Sequence, residues 1–118
     1  MEKIRLSDKF GLFKAHWTPK IVGELNDNHI LLAKLKGEFL WHTHEEDEMF
    51  LVVKGKLRIK LRDRDVWLEE GELFVVPKGV EHCPVAEDEV HAMMIEPKTT
   101  KHTGDLVTER TVSNYEHI

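Results

Sequence analysis

The stretch Lys56-Leu-Arg-Ile-Lys-Leu61 puts Leu57, Ile59 and Leu61 on one side and charged residues on the other. This period-two pattern is that of a strand with one face buried and one in water. Arg62-Asp-Arg-Asp65 is a polar turn, and Val66-Trp-Leu68 resumes the apolar pattern as a hairpin partner. Gly55 and Gly71 punctuate the strands at tight-turn spacing. Ile30–Lys36 and Val90–Ile95 read as further strands, and helical periodicity is absent from the middle of the chain. Short strands at regular spacing predict an all-β sandwich or barrel. Met49–Val53 and Leu73–Val76 are apolar on both faces, so an outer surface needs covering, and a homodimer is expected to cover it.

His42 and His44 are two residues apart, which on a strand puts both rings on the same side. Glu48 lies four residues beyond His44, an even spacing that keeps it on that side if the strand resumes after a short bend. His82 follows the turn Pro77-x-Gly79 at the end of another apolar run. A lone His-x-His on a strand is ordinarily a polar face, but three imidazoles and a carboxylate able to meet across a barrel form a ligand set for a divalent transition metal. Glu45, Glu46 and Asp47 read as a solvated loop.

In full, the pattern is Gly37, then His42-x-His44, three residues, Glu48, six residues and Gly55. After fifteen residues it continues with Gly71, five residues, Pro77-x-Gly79, two residues and His82. Over about residues 25–97 this resembles the two motifs of the cupin superfamily in its small single-domain microbial form. The resemblance implies a double-stranded β-helix, or jelly-roll barrel, with His42, His44, Glu48 and His82 as metal ligands. Two departures stand out. Only four residues separate Gly37 from His42, one fewer than usual, and Ala86 stands where an Asn is often found. The second bears on the polarity of the pocket rather than on metal binding.

Three His and one Glu leave one or two positions open around a five- or six-coordinate ion, a Lewis acid presented to substrate, water or dioxygen. Fe, Mn, Ni, Zn and Cu all suit such ligands, and no thiolate is placed to close the site. The expected function is a metal-dependent enzyme, dioxygenase- or isomerase-like, acting on a small polar molecule. The alternative is a non-catalytic binding or sensing module using the same metal site, because a shared barrel does not fix a reaction. No catalytic acid or base is assigned. His91 is the candidate if it faces inward in place of Val90, Ala92 and Met94.

At 118 residues the chain is expected to be one domain, with a barrel core at about 25–97, an N-terminal arm at 1–24 and a C-terminal tail at 98–118. A net charge of -5, with charges of mixed sign and no basic stripe, gives no footing for nucleic acid. No apolar run approaches the roughly eighteen residues of a membrane span, and no stretch resembles a signal peptide, so a cytoplasmic location without membrane partners is expected. Cys83, the single cysteine, is expected to be structural or incidental and aimed away from the metal. Phe10–Trp17 reads as an arm or first strand packed on the barrel or a partner, with His16 and Trp17 either lining the ligand entrance or simply packing. Phe39 and Trp41 alternate against His42 and are expected to point outward, beneath a second copy of the chain. Leu106, Val107 and Val112 allow a short strand or helix, and His102 and His117 read as surface residues.

Overall fold

Strand β1 (Lys20–Leu25) and strand β2 (Asn28–Glu38) open an antiparallel ladder in the computed structural model, which describes residues 2–101, 103–104 and 114–118. The strands that follow are β3 (Glu48–Lys54), β4 (Leu57–Leu61), β5 (Asp65–Leu68), β6 (Leu73–Val76), β7 (His82–Pro97) and β8 (Glu116–His117). The long strand β7 organises them. One of its edges pairs with β2 along nearly its whole length, and the other pairs first with β4 and then, beyond the exposed Glu87–Glu89, with β3. β5 continues from β4, and β6 from β3. The fold is an all-β jelly roll. Beyond the strands, a five-residue helix α1 (Leu6–Phe10) lies near the amino terminus. No helix among the described residues is long and apolar enough to cross a membrane.

Alternation decides what the barrel encloses. Leu57 and Ile59 of β4, Phe50 and Val52 of β3, Leu31, Ala33 and Leu35 of β2, and Val90, Ala92 and Met94 of β7 pack together as one buried core. A fully buried Leu or Ile contributes about 1.5–3 kcal/mol each relative to exposure, so the alternating strand read at Lys56–Leu61 anchors the barrel. Gly55 closes the turn before it with φ 95, and a Cβ there would lie 3.0 Å from the Glu89 carbonyl oxygen. Only glycine meets both conditions without strain.

The N-terminal arm packs on its own barrel. Phe10 and Phe13 cover Leu32, and Leu6, Val22, Val53, Met93 and Ile118 close around them. Part of the outer apolar surface expected to need a second copy is therefore covered from within the chain. Trp41 points outward, but Arg62 lies 3.7 Å from its ring centre and is held by a salt bridge to Glu81. Phe39 departs from expectation. It is buried, because β2 ends at Glu38 and the segment after it is no longer pleated, so alternation does not carry from Phe39 to His42. Leu73 and Val75 on β6 stay exposed. His102, Leu106, Val107 and Val112 lie outside the described residues; His117 is exposed on β8.

Candidate metal centre

Backbone pairing joins the two halves of the site. His42 and His82 form an isolated antiparallel bridge, each N–H donating to the other's carbonyl at 3.1 Å. The Gly79 N–H donates to the His44 carbonyl at 2.8 Å, and the Lys78 N–H to Asp47 Oδ1 at 2.8 Å. Asp47, read as a solvated loop residue, thus fastens the loop of the first motif to the turn of the second. Glu48 opens β3, where Phe50 and Val52 share its inward face.

The four side chains converge. His42, His44, Glu48 and His82 are all buried, and one ligand atom from each lies within 4.8 Å of the others. Nδ1 of His42 lies 2.8 Å from the Leu40 carbonyl and Nδ1 of His82 lies 2.9 Å from the Val80 carbonyl. With the proton on Nδ1 in each ring, Nε2 is left with its lone pair toward the centre. Glu48 Oε1 is 3.5 Å from His82 Nε2 and 3.6 Å from His44 Nε2. Neither His82 Nε2 nor either ring nitrogen of His44 has a hydrogen-bond partner, although all three are buried. Buried nitrogens left in this way are costly; a divalent ion would take the lone pair of His82 Nε2 and of one His44 ring nitrogen, while the protonated His44 nitrogen still lacks a partner. The residues present fit such an ion.

Electrostatics agree with the geometry. Burial, then the neighbouring His82, push the His42 ring down from 6.5 to about 4, so it is neutral and able to ligate. Burial raises the Glu48 carboxyl, but the nearby His44 and His82 rings and the Glu96 carboxyl outweigh it and hold the group well below the usual carboxylate range. The glutamate is therefore ionised. Glu96 shows the opposite balance: burial, then the Glu48 charge, push it well above the usual range and keep it protonated.

The sequence reading missed Glu96, although a signal was present. Val90, Ala92 and Met94 face inward on β7, and Glu96 extends the same even-numbered row, 2% exposed. With His42 and Glu48 it lines a cavity of about 30 Å³ whose other walls include Trp17, Pro19, Leu35, Phe39, Phe50 and Met94. Trp17 stacks on Phe39 with ring centres 4.6 Å apart, and its Nε1–H donates to the Lys36 carbonyl at 2.8 Å. Of the two arm residues considered for the entrance, Trp17 lines the cavity, whereas His16 lies on the surface against Glu89. His91 does not face inward. It stacks on Phe10 outside the barrel and pairs with Glu89, while Val90, Ala92 and Met94 take the inward positions. Cys83 is buried against Glu38, away from the four ligand candidates, and burial followed by that carboxylate pushes its thiol up to about 11.

A family model described as a cupin domain matches residues 30–98. A solved cupin-2 domain containing protein from Shewanella frigidimarina superposes with a TM-score of 0.80 at 48% identity, covering 80% of this chain and 94% of that one. The uncharacterized protein YdbB of Bacillus subtilis (strain 168) is 36% identical over 63 residues, which are 52% of this chain and 56% of YdbB. The 3-hydroxyanthranilate 3,4-dioxygenase of Xenopus tropicalis is 28% identical over 79 residues, 60% of this chain and 28% of that enzyme. The chain thus spans about half of YdbB and a smaller share of the dioxygenase.

Proposed function

Because this chain belongs to the cupin domain family, we propose that His42, His44, Glu48 and His82 hold one divalent transition metal, and that the protein is a metal-dependent enzyme, dioxygenase- or isomerase-like, acting on a small polar molecule. The observation that carries this reading is the set of buried, unpartnered imidazole nitrogens facing an ionised glutamate. The partial likeness to 3-hydroxyanthranilate 3,4-dioxygenase supports the oxygenase branch.

When bound, such an ion supplies Lewis acidity and open coordination positions. The chain's own residues prepare the place. The Leu40 and Val80 carbonyls fix the tautomer and direction of two histidines. Glu48 brings the one negative charge among the four ligands, which leaves a divalent centre net positive and favours carboxylate, enediolate or phosphate oxygens at the open positions. The apolar walls from Trp17 to Met94 keep water from the cavity beside His42 and Glu48. Glu96 is the one polar residue on the cavity wall outside the ligand set, and it is engaged with Glu48. No independent acid or base therefore faces the cavity among its lining residues. That favours a second reading, a module that binds or senses a small ligand through the metal without turnover.

Protein purified without chelator is expected to carry close to one transition-metal ion per chain by elemental analysis, and to melt at lower temperature once stripped, since ligand bound only to the folded state stabilises it. Full retention of metal by the His42→Ala, His82→Ala double variant sinks the assignment. Screening the loaded protein with sugar phosphates and small oxygenase substrates separates the two readings. Product formation supports the enzyme, and tight ligands without product support the binder. A homodimer formed through the exposed face of β3 and β6 is part of the same proposal.

A further inference from the structure

We propose that Trp17 is the gate of the metal centre: its indole closes the cavity beside His42 and Glu48, and the centre is entered when the arm carrying it lifts. The inference rests on the metal reading above and adds how that site is reached. The cavity measures about 30 Å³, the space of about two waters, so no substrate-sized molecule enters it while the indole is in place. Every other residue lining it is buried, and Trp17, half-buried, is the one that also meets solvent.

The backbone at Trp17 is of the kind that needs holding. Its φ is 57, in the left-handed region that a bulky side chain adopts only under constraint from its surroundings. The Trp17 N–H donates to the Lys34 carbonyl at 2.9 Å, and Nε1–H donates to the Lys36 carbonyl at 2.8 Å. The indole stacks on Phe39 with ring centres 4.6 Å apart, and the Phe39 and His42 rings meet near a right angle at 5.5 Å. Around it the arm is lightly tied. Between the buried Phe13 and Pro19 no side chain is buried, and His16 is paired only at the surface with Glu89. A span fixed at both ends with few buried contacts between them is the kind that opens locally. Lifting the indole also releases the strained backbone, which offsets part of the lost stacking and hydrogen bonding.

The test follows Co2+ uptake and release by the metal-free full chain in stopped flow, reading the visible bands that appear as ligands bind. A gate whose open form is about 0.1–10% populated slows both passages by about ten- to a thousandfold and leaves their ratio, the affinity, unchanged. Trp17→Ala is therefore expected to take up and release Co2+ at least about tenfold faster than wild type, at wild-type affinity. Trp17→Phe keeps a stacking ring but loses the N–H to Lys36, and its rates are expected to fall between the two. Where Trp17→Ala fails to fold by circular dichroism, Trp17→Phe carries the same test. Weaker binding without faster uptake marks a merely structural role and overturns the proposal. Wild-type rates in the folded variant overturn it as well, and put the entrance past His44, which lines a separate cleft with Thr99 and Lys101. Wild-type protein that takes up no Co2+, or binds it equally well after His42→Ala, overturns the underlying metal reading instead, so the two failures are told apart.

Discussion

At the scale of single residues, the site depends on groups held away from their ordinary protonation. His42 is the clearest case. Its ring titrates at 6.5 in an ordinary setting and at about 4 in the fold. Between those values the unfolded chain binds a proton that the folded chain does not, so stability falls as pH drops through the window and is regained as pH rises. Glu96, shifted upward, acts in the opposite sense, because its contribution is present at low pH and lost as pH rises. The expected outcome is therefore stated as a difference between two chelator-treated proteins that both keep Glu96. From about pH 7 to about pH 4.5, wild type loses roughly 2–3 kcal/mol more than His42→Asn. Urea unfolding at the two pH values measures this, and a difference that does not change with pH refutes the burial argument.

At the scale of elements, β7 and the turns facing it place the chemistry. Its pairing with β4 near His82 and with β3 near Met94 brings the two motifs to one end of the barrel. The turn at Gly55 lies against Glu89 and Val90, where β7 begins its inward row. Gly55→Ala forces a side chain into a left-handed backbone at φ 95 and against the Glu89 carbonyl oxygen. The expected cost is roughly 1–3 kcal/mol, read as a lower urea midpoint with unchanged slope. A midpoint equal to wild type means that the turn relaxes freely and that Gly55 does not fix the β3–β4 connection. How much of this was legible in the sequence follows from where alternation holds. Strict alternation gave Leu57 and Ile59 their inward face, while Glu48 was placed by its even spacing from His44 and His82 by its position after the Pro77-x-Gly79 turn. Phe39 was misread because alternation ends where β2 ends, and Glu96 was passed over because a charged residue inside an apolar row reads as the end of that row.

At the scale of the whole molecule, the register of β3 with β6 and β7 sets Met49 beside Val75 and Ile95, and Leu51 beside Leu73 and Met93. Alternation turns these side chains outward, and Leu73 and Val75 are 56% and 45% exposed. The N-terminal arm covers the neighbouring surface around Leu32, Val53 and Met93 but leaves Leu73 and Val75 open. An exposed apolar face of this kind is where the proposed homodimer would form. A homodimer is expected by light scattering at tens of micromolar, about the range in which weak dimers associate. The Leu73→Asp, Val75→Asp double variant is expected to be a folded monomer. Monomeric wild type, or an undisturbed dimer in the double variant, removes β6 from the interface.

The sequence by itself determined the central strands and their enclosed apolar rows, through a period of two along local stretches, and the four ligand candidates, through residue types at the spacing of the cupin motifs. Tertiary structure alone decided that His42 pairs with His82, that Phe39 turns inward beneath Trp17, that His91 is held outside by Phe10, and that Glu96 meets Glu48. Those outcomes depend on where strands end and which strands become neighbours. Both are fixed by packing between segments distant in the chain rather than by the residues on either side.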